Sequence, residues 1–259
     1  MPDFRLFFPA LACALRFLTV TPIRWGQGRD GELFARSVVT FPVVGLLIGL
    51  FGAALAWLLA LFAPPPLVAW FFVFYLSAIS GFLHLDGLAD SADGLLSGRD
   101  RQRMLAIMKD SRSGSMAVAV VALVLLGKFA ALSTLAAKPA LLLPALLLVP
   151  LAGRVTICLT MAMLPYAREN ESGIGGLFYT GLAGTAAKAA AIGLMLLFLL
   201  GYFLCGWAIL GIIAASLAVN LLFIWFCRRK IGGATGDTLG AVCELTELTA
   251  LLAGAVCFF

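Results

Sequence analysis

The sequence predicts an all-α, polytopic integral membrane bundle: about seven transmembrane helices plus an N-terminal interfacial helix, forming a single domain over residues 1–259. Three observations predict it. The chain is 63% hydrophobic and 12% charged, with a mean hydropathy of +1.07, whereas soluble domains are ~45–50% apolar. Several apolar runs reach the ~20 residues that cover a hydrocarbon core. When the runs are counted off, the charged loops fall on one face, which the positive-inside rule makes cytoplasmic.

Residues 4–20 hold a short apolar core that is broken by Pro9 and soon met by Arg16. More membrane segments come after them, so they read as an amphipathic interfacial helix rather than a cleaved signal. The basic stretch from Thr21 to Arg36 precedes a first span, Ser37 to Phe62, in which Gly45 and Gly49 permit close helix contact. The uncharged Pro64-Pro65-Pro66 turn ends that span, and Leu67 to Leu83 returns. Ser115 to Ala137 and Ala140 to Leu164 cross again around Lys138, the one charge in the opposite turns. The polar segment Pro165 to Thr180 follows, and then spans Gly184 to Leu204 and Cys205 to Phe226. Arg228-Arg229-Lys230 leads through a Gly-rich turn into the last span, Asp237 to Phe258.

The net charge of +5 is modest and its placement speaks of orientation, not nucleic-acid binding. Six cysteines scattered through apolar runs, none in a C-x-x-C pair, exclude a disulfide framework and a zinc site.

The chemistry is concentrated between Gly81 and Gly114. Asp86, Asp90 and Asp93, spaced i, i+4, i+7, share one face of a helix. Carboxylates so crowded make sense around a divalent cation such as Mg²⁺, which takes oxygen ligands and leaves positions for substrate phosphates. Arg99, Arg101, Arg103, Lys109 and Arg112 follow directly, and acid then base describes a site that handles phosphate. Capping by Asp90 and Asp93 and topology-setting by the basic run are the plainer readings. His84, the single histidine, reads as an orienting hydrogen-bond partner.

A second acidic face opens the last span, where Asp237, Glu244 and Glu247 share one side. Ionisable groups at such depth are expensive, which marks them, with Lys128 and Arg154, as functional candidates; Asp237 is also expected to cap the helix. The two acidic faces are expected to converge on one or two metal ions at the cytoplasmic rim. Such a site favours phosphoryl or phosphodiester transfer, with a carboxylate to deprotonate an attacking hydroxyl.

Four segments carry a resemblance: H-x-D-G-x-A-D-x-x-D-G at His84 to Gly94, I-M-K-D-S-R-x-G at Ile107 to Gly114, P-Y-A-R at Pro165 to Arg168, and I-G-G-x-T-G-D-x-L-G-A-x-x-E-x-x-E at Ile231 to Glu247. Together with Phe17 to Thr19 and Phe41 to Gly49, they make a chain that resembles the cobalamin synthase (adenosylcobinamide-GDP ribazoletransferase) family over nearly its whole length. The resemblance implies a Mg²⁺-dependent enzyme of the bacterial cytoplasmic (inner) membrane, working on the cytoplasmic side. It would join adenosylcobinamide-GDP to α-ribazole or its 5′-phosphate, giving adenosylcobalamin or its 5′-phosphate and GMP. It further implies Asp86, Asp90, Asp93, Asp237, Glu244 and Glu247 as metal ligands. Asp86, Glu244 and Lys109 become the catalytic candidates, and His84, Lys109, Asp110, Ser111, Arg112 and Arg168 the substrate-binding ones. The expected partners are the two substrates and the lipid bilayer, not nucleic acid; a homo-oligomer or contacts with other enzymes of the pathway stay open.

The rival from another class is a membrane transporter with an intramembrane carboxylate ion site. It expects polar groups on both sides of the bilayer, and the outer turns have almost none. A CDP-alcohol phosphotransferase would carry D-G-x-x-A-R, and here Asp86-Gly87 is followed by Ala89-Asp90 and no arginine. A non-catalytic scaffold leaves the intramembrane acids unexplained.

Overall fold

A computed structural model describes residues 6–25, 28–168 and 182–257. Helices run in the order α1 (Phe7–Leu18), α2 (Asp30–Ser37), α3 (Phe41–Ala60), α4 (Pro65–Ile79), α5 (Leu83–Leu95), α6 (Arg101–Ile107), α7 (Ser115–Ala136), α8 (Pro139–Met163), α9 (Ala183–Cys205), α10 (Ala208–Ile231) and α11 (Gly236–Cys257). Among the described residues, extended backbone pairs only at one parallel bridge, Tyr166 with Ala234.

Six helical stretches are long and apolar enough to cross a membrane: Asp30–Ala60, α7, α8, α9, α10 and α11. The pair α4 and α5, bent by 85° at its break, makes a seventh only when the two are counted as one broken span. The chain is thus a multi-pass membrane protein. The first span begins earlier than expected, because α2 continues through a 3-10 turn, Val38–Thr40, into α3. At the other end, α10 runs through Arg228, Arg229 and Lys230 to Ile231 before Gly232, at φ +77°, ends it; basic side chains in a last turn suit the negative end of a helix dipole.

α8 is the enclosed helix of the bundle: 78% of its most apolar window is buried, against 28% in α7, α9 and α10. Its backbone meets α3 where side chains are missing. A Cβ on Gly45 would lie 2.7 Å from the carbonyl oxygen of Pro150, and one on Gly49 2.5 Å from that of Leu147. The small-residue spacing read from the sequence is therefore a helix–helix contact. On the outside, Phe51, Trp57, Trp70, Leu123, Leu199 and Trp225 are exposed, the surface a bilayer covers.

α1 has twelve residues, about 18 Å, too short to cross. It buries Ala10, Ala14 and Leu18 against the bundle, and Arg16 anchors it through an ion pair with Asp30 and hydrogen bonds to the carbonyls of Ile23 and Trp25. The backbone N–H of Val20 donates to Ile79 (2.8 Å), fixing the end of α1 beside the break after α4. That break is made by two consecutive left-handed residues, Gly81 (φ +61°) and Phe82 (φ +62°). In a phenylalanine this conformation costs roughly 1–2 kcal/mol. It redirects the chain so that α5 packs along α7 and α11.

Candidate active site

α5 and the first turns of α11 touch backbone to backbone. A Cβ on Gly87 would lie 2.6 Å from the carbonyl oxygen of Asp237, and one on Gly240 3.1 Å from the Cα of His84. These two glycines bring Asp86, in the first turn of α5, level with Asp237, in the first turn of α11. One turn further along α5, the Asp90 carboxylate feels the negative charges of Asp86, Asp237 and Asp93 together. Among the described residues neither Asp86 nor Asp90 has an ion-pair partner.

Asp93 is used differently from its two neighbours. Its carboxylate accepts hydrogen bonds from the backbone N–H groups of Gly114 and Ala117 (2.9 Å to the latter), at the start of α7. It therefore caps a helix other than its own, and an anion is favoured at that end.

Asp237 accepts from Arg168 (3.0 Å) and from the hydroxyl of Thr235 (3.2 Å). It does not cap α11. Thr235 and Thr238 do, each hydroxyl accepting from the other's backbone N–H, at 2.8 and 3.3 Å. Among the described residues the buried Nε of Arg168 has no acceptor. The loops that carry these residues are laced together: Ala167 N–H donates to Ala234 and Ala234 N–H to Pro165, both at 2.8 Å. Arg101 fastens the pair, its guanidinium donating to the carbonyls of Ile231 (2.8 Å) and Ala167 (2.6 Å). Expected from the sequence among the phosphate-binding cations, Arg101 is instead a strut. The signal that could have found this contact is the Gly232-Gly233 pair, since a Cβ on Gly233 would sit 2.3 Å from the Pro165 carbonyl oxygen.

Glu244 and Glu247, expected beside the aspartates, face the other way. Lys128 of α7 donates to both, at 2.7 and 2.6 Å, and Arg154 of α8 donates to Glu247. All four are at most 2% exposed, and their formal charges sum to zero. The carboxylate oxygens are occupied by ammonium and guanidinium groups, so the six acids do not form one cluster. His84, also buried, bridges the two regions: it lies 3.5 Å from Arg154 on one side and lines the cleft described next on the other.

The segment between α6 and α7 is exposed. Arg112 donates to Asp110 (2.6 Å), and this hydrogen-bonded guanidinium holds the Asp110 carboxyl down to about 2. Lys109 and Ser111 are exposed on the same loop.

A cleft of about 260 Å³ opens between α1, α5, α8 and α11. Asp86, His84 and Asp237 line one end; Phe17, Phe41 and Met161 are among its apolar walls. Among the described residues no three His, Cys, Asp or Glu side chains are grouped so that they could together hold a metal ion. By donor type alone Asp86, Asp90 and Asp237 would suit Mg²⁺: they offer hard oxygen donors, and a cation would relieve their mutual repulsion. Mg²⁺ commonly retains waters and needs only one or two carboxylates.

A family model described as cobalamin-5-phosphate synthase matches residues 10–255. The adenosylcobinamide-GDP ribazoletransferase of Citrobacter koseri is 39% identical over 249 residues, 96% of this chain and 98% of that protein. The proteins of the same name from Shigella flexneri and Escherichia coli O139:H28 are 38% and 39% identical, each over 92% of this chain and 96% of their own. No solved structure matches. The segments that carry the aspartates, Arg168 and the laced loops lie inside the matched region, and the chain belongs to the cobalamin-5-phosphate synthase family of enzymes.

Proposed function

We propose that this chain joins adenosylcobinamide-GDP to α-ribazole or its 5′-phosphate, at a Mg²⁺-dependent site on the cytoplasmic side of a bacterial inner membrane. The observation that carries the proposal is local. Asp86, without an ion-pair partner among the described residues, lines the cleft beside Asp237, which pairs with Arg168, and Asp90, likewise unpaired there, stands one turn further along α5. The names of the relatives supply the substrates.

In this reading Asp86, Asp90 and Asp237 hold the metal, whose chemistry is to neutralise phosphate oxygens and stabilise charge in the transition state. Asp93 supports them by fixing α5 to α7. Arg168, with its unused Nε, and Lys109 hold the diphosphate. A ribose hydroxyl oxygen forms a bond to the cobinamide-linked phosphorus as the bond from that phosphorus to the GMP oxygen breaks. The hydroxyl proton passes to Asp86, which lines the cleft, and GMP leaves with the bonding pair. Glu244 has no part in this step, because its charge is already balanced by Lys128.

The test is GMP release by the purified protein in lipid vesicles with both substrates. Turnover is expected with Mg²⁺ and is expected to vanish on chelation and return on readdition. Turnover that persists without any divalent ion defeats the metal reading. Ion flux through the vesicles with no GMP release favours a transporter instead.

A further inference from the structure

The cleft beside the aspartates is too small for both substrates and is chemically lopsided. Its polar groups lie at one end, on α5 and α11, while the wall formed by α1, α3 and α8 is apolar. Within that wall the rings of Phe17 and Phe41 lie nearly parallel, 19° apart, with centroids at 6.2 Å. Such a wall offers area and dispersion but no hydrogen bonds.

Three moieties compete for the space, and size and polarity separate them. A corrin macrocycle with its amide fringe is several times larger than about 260 Å³. Guanine fits by size, but its edge carries donors and acceptors that an apolar wall leaves unpaired, at a cost of roughly 1–3 kcal/mol for each. A benzimidazole ribonucleoside has about 20 heavy atoms and fills on the order of 250 Å³, just under the range of pockets for small ligands. Its methylated bicycle is flat and apolar, and its ribose is polar. Laid in the cleft with the bicycle against Phe17 and Phe41, it delivers the ribose to the end where Asp86 and Asp237 stand.

We propose that this cleft is the subsite for the benzimidazole of the ribazole substrate, that Phe17 of α1, backed by the buried Phe41 of α3, is its specificity-determining wall, and that the corrin stays outside the mouth. The inference rests on the function proposed above and deepens it. It also explains why α1 is pinned to the bundle, since the helix held by the Val20–Ile79 hydrogen bond closes one side of a substrate pocket.

The test uses the full chain in detergent or lipid and measures equilibrium binding of α-ribazole alone, then of adenosylcobinamide-GDP alone. Phe17→Ala widens the wall, and Leu83→Trp, from a side chain 44% exposed at the cleft, fills it without crowding the core. Each is expected to weaken α-ribazole binding about tenfold, leaving the affinity for adenosylcobinamide-GDP unchanged. Omitting the two ring methyls is expected to weaken binding to the parent protein severalfold, and by less in Phe17→Ala. If the parent protein binds α-ribazole while both variants leave that affinity unchanged, or weaken adenosylcobinamide-GDP instead, the subsite assignment fails alone. If the parent binds no α-ribazole, the assignment falls together with the function beneath it.

Discussion

The aspartates of α5 and the glutamates of α11 present the same side-chain chemistry at similar helical spacing, yet their electrostatic surroundings are opposite. Glu244 and Glu247 are sealed between α7, α8 and α11, and Lys128 and Arg154 cancel their charge. Asp86 lines the cleft and Asp90 stands one turn further along α5, both with no ion-pair partner among the described residues. The first group is complete and holds helices together. The second carries uncompensated charge, and in the function proposed above a charged ligand from outside completes it. Balance of charge, not depth or spacing, separates the structural acids from the chemical ones.

The comparison breaks most visibly at Lys128. Lys128→Met leaves the buried cluster with one uncompensated negative charge, and removing one partner of a buried pair costs about 3–5 kcal/mol. The expected result is poor accumulation and a large fall in unfolding temperature in detergent. Adding Glu244→Gln to the same chain restores neutrality and should regain most of the loss; a double variant as unstable as the single one would contradict the balanced-cluster account. Asp86→Asn asks the opposite question. It removes charge from a group that has no ion-pair partner, so unfolding temperature should hold while turnover falls about 100-fold or more, the scale of a lost metal ligand. Unchanged GMP release in that variant sinks the assignment of the aspartates.

Gly87→Ala sharpens the comparison by moving one region without touching a charge. The added methyl meets the Asp237 carbonyl at 2.6 Å, so α5 and α11 must separate by a few tenths of an ångström. Turnover should fall about tenfold, since small misplacements of catalytic groups are costly. The spectroscopic helix content should not change. The smallest effect is expected at Arg112→Ala, where an exposed pair with Asp110 is lost. Unfolding temperature should stay put. The Asp110 pKa should rise from about 2 toward the ordinary carboxylate range, which NMR titration would detect.

Hydropathy makes the spanning helices legible, because each crossing needs its own apolar run and the sequence writes it locally. The close contact at Gly45 and Gly49 is legible for the same reason. What local pattern does not reveal is the sorting of the six acids. Asp86, Asp90 and Asp93 do share a helical face, yet Asp93 turns to cap α7, and that depends on where a distant helix begins. Spacing along α11 groups Glu244 and Glu247 with Asp237, but their partners come from α7 and α8. A hint is present: Lys128 and Arg154 are two cations inside apolar runs, and two buried acids elsewhere are what they need. The break after α4 leaves only Gly81 as a sign, since a left-handed Phe82 follows from tertiary packing and not from propensity.

That break also changes how the protein meets its solvent. α4 has fifteen residues, so it rises about 22 Å, well short of a hydrocarbon slab ~30 Å deep. α5 leaves at nearly a right angle and does not prolong it. Acyl chains beside α4 must therefore compress, and the cost of that mismatch scales with their length. Reconstituted in myristoyl lipids the chain should be more heat-resistant than in lipids with long acyl tails. Membrane thickness would then be a physical setting for the stability of this chain.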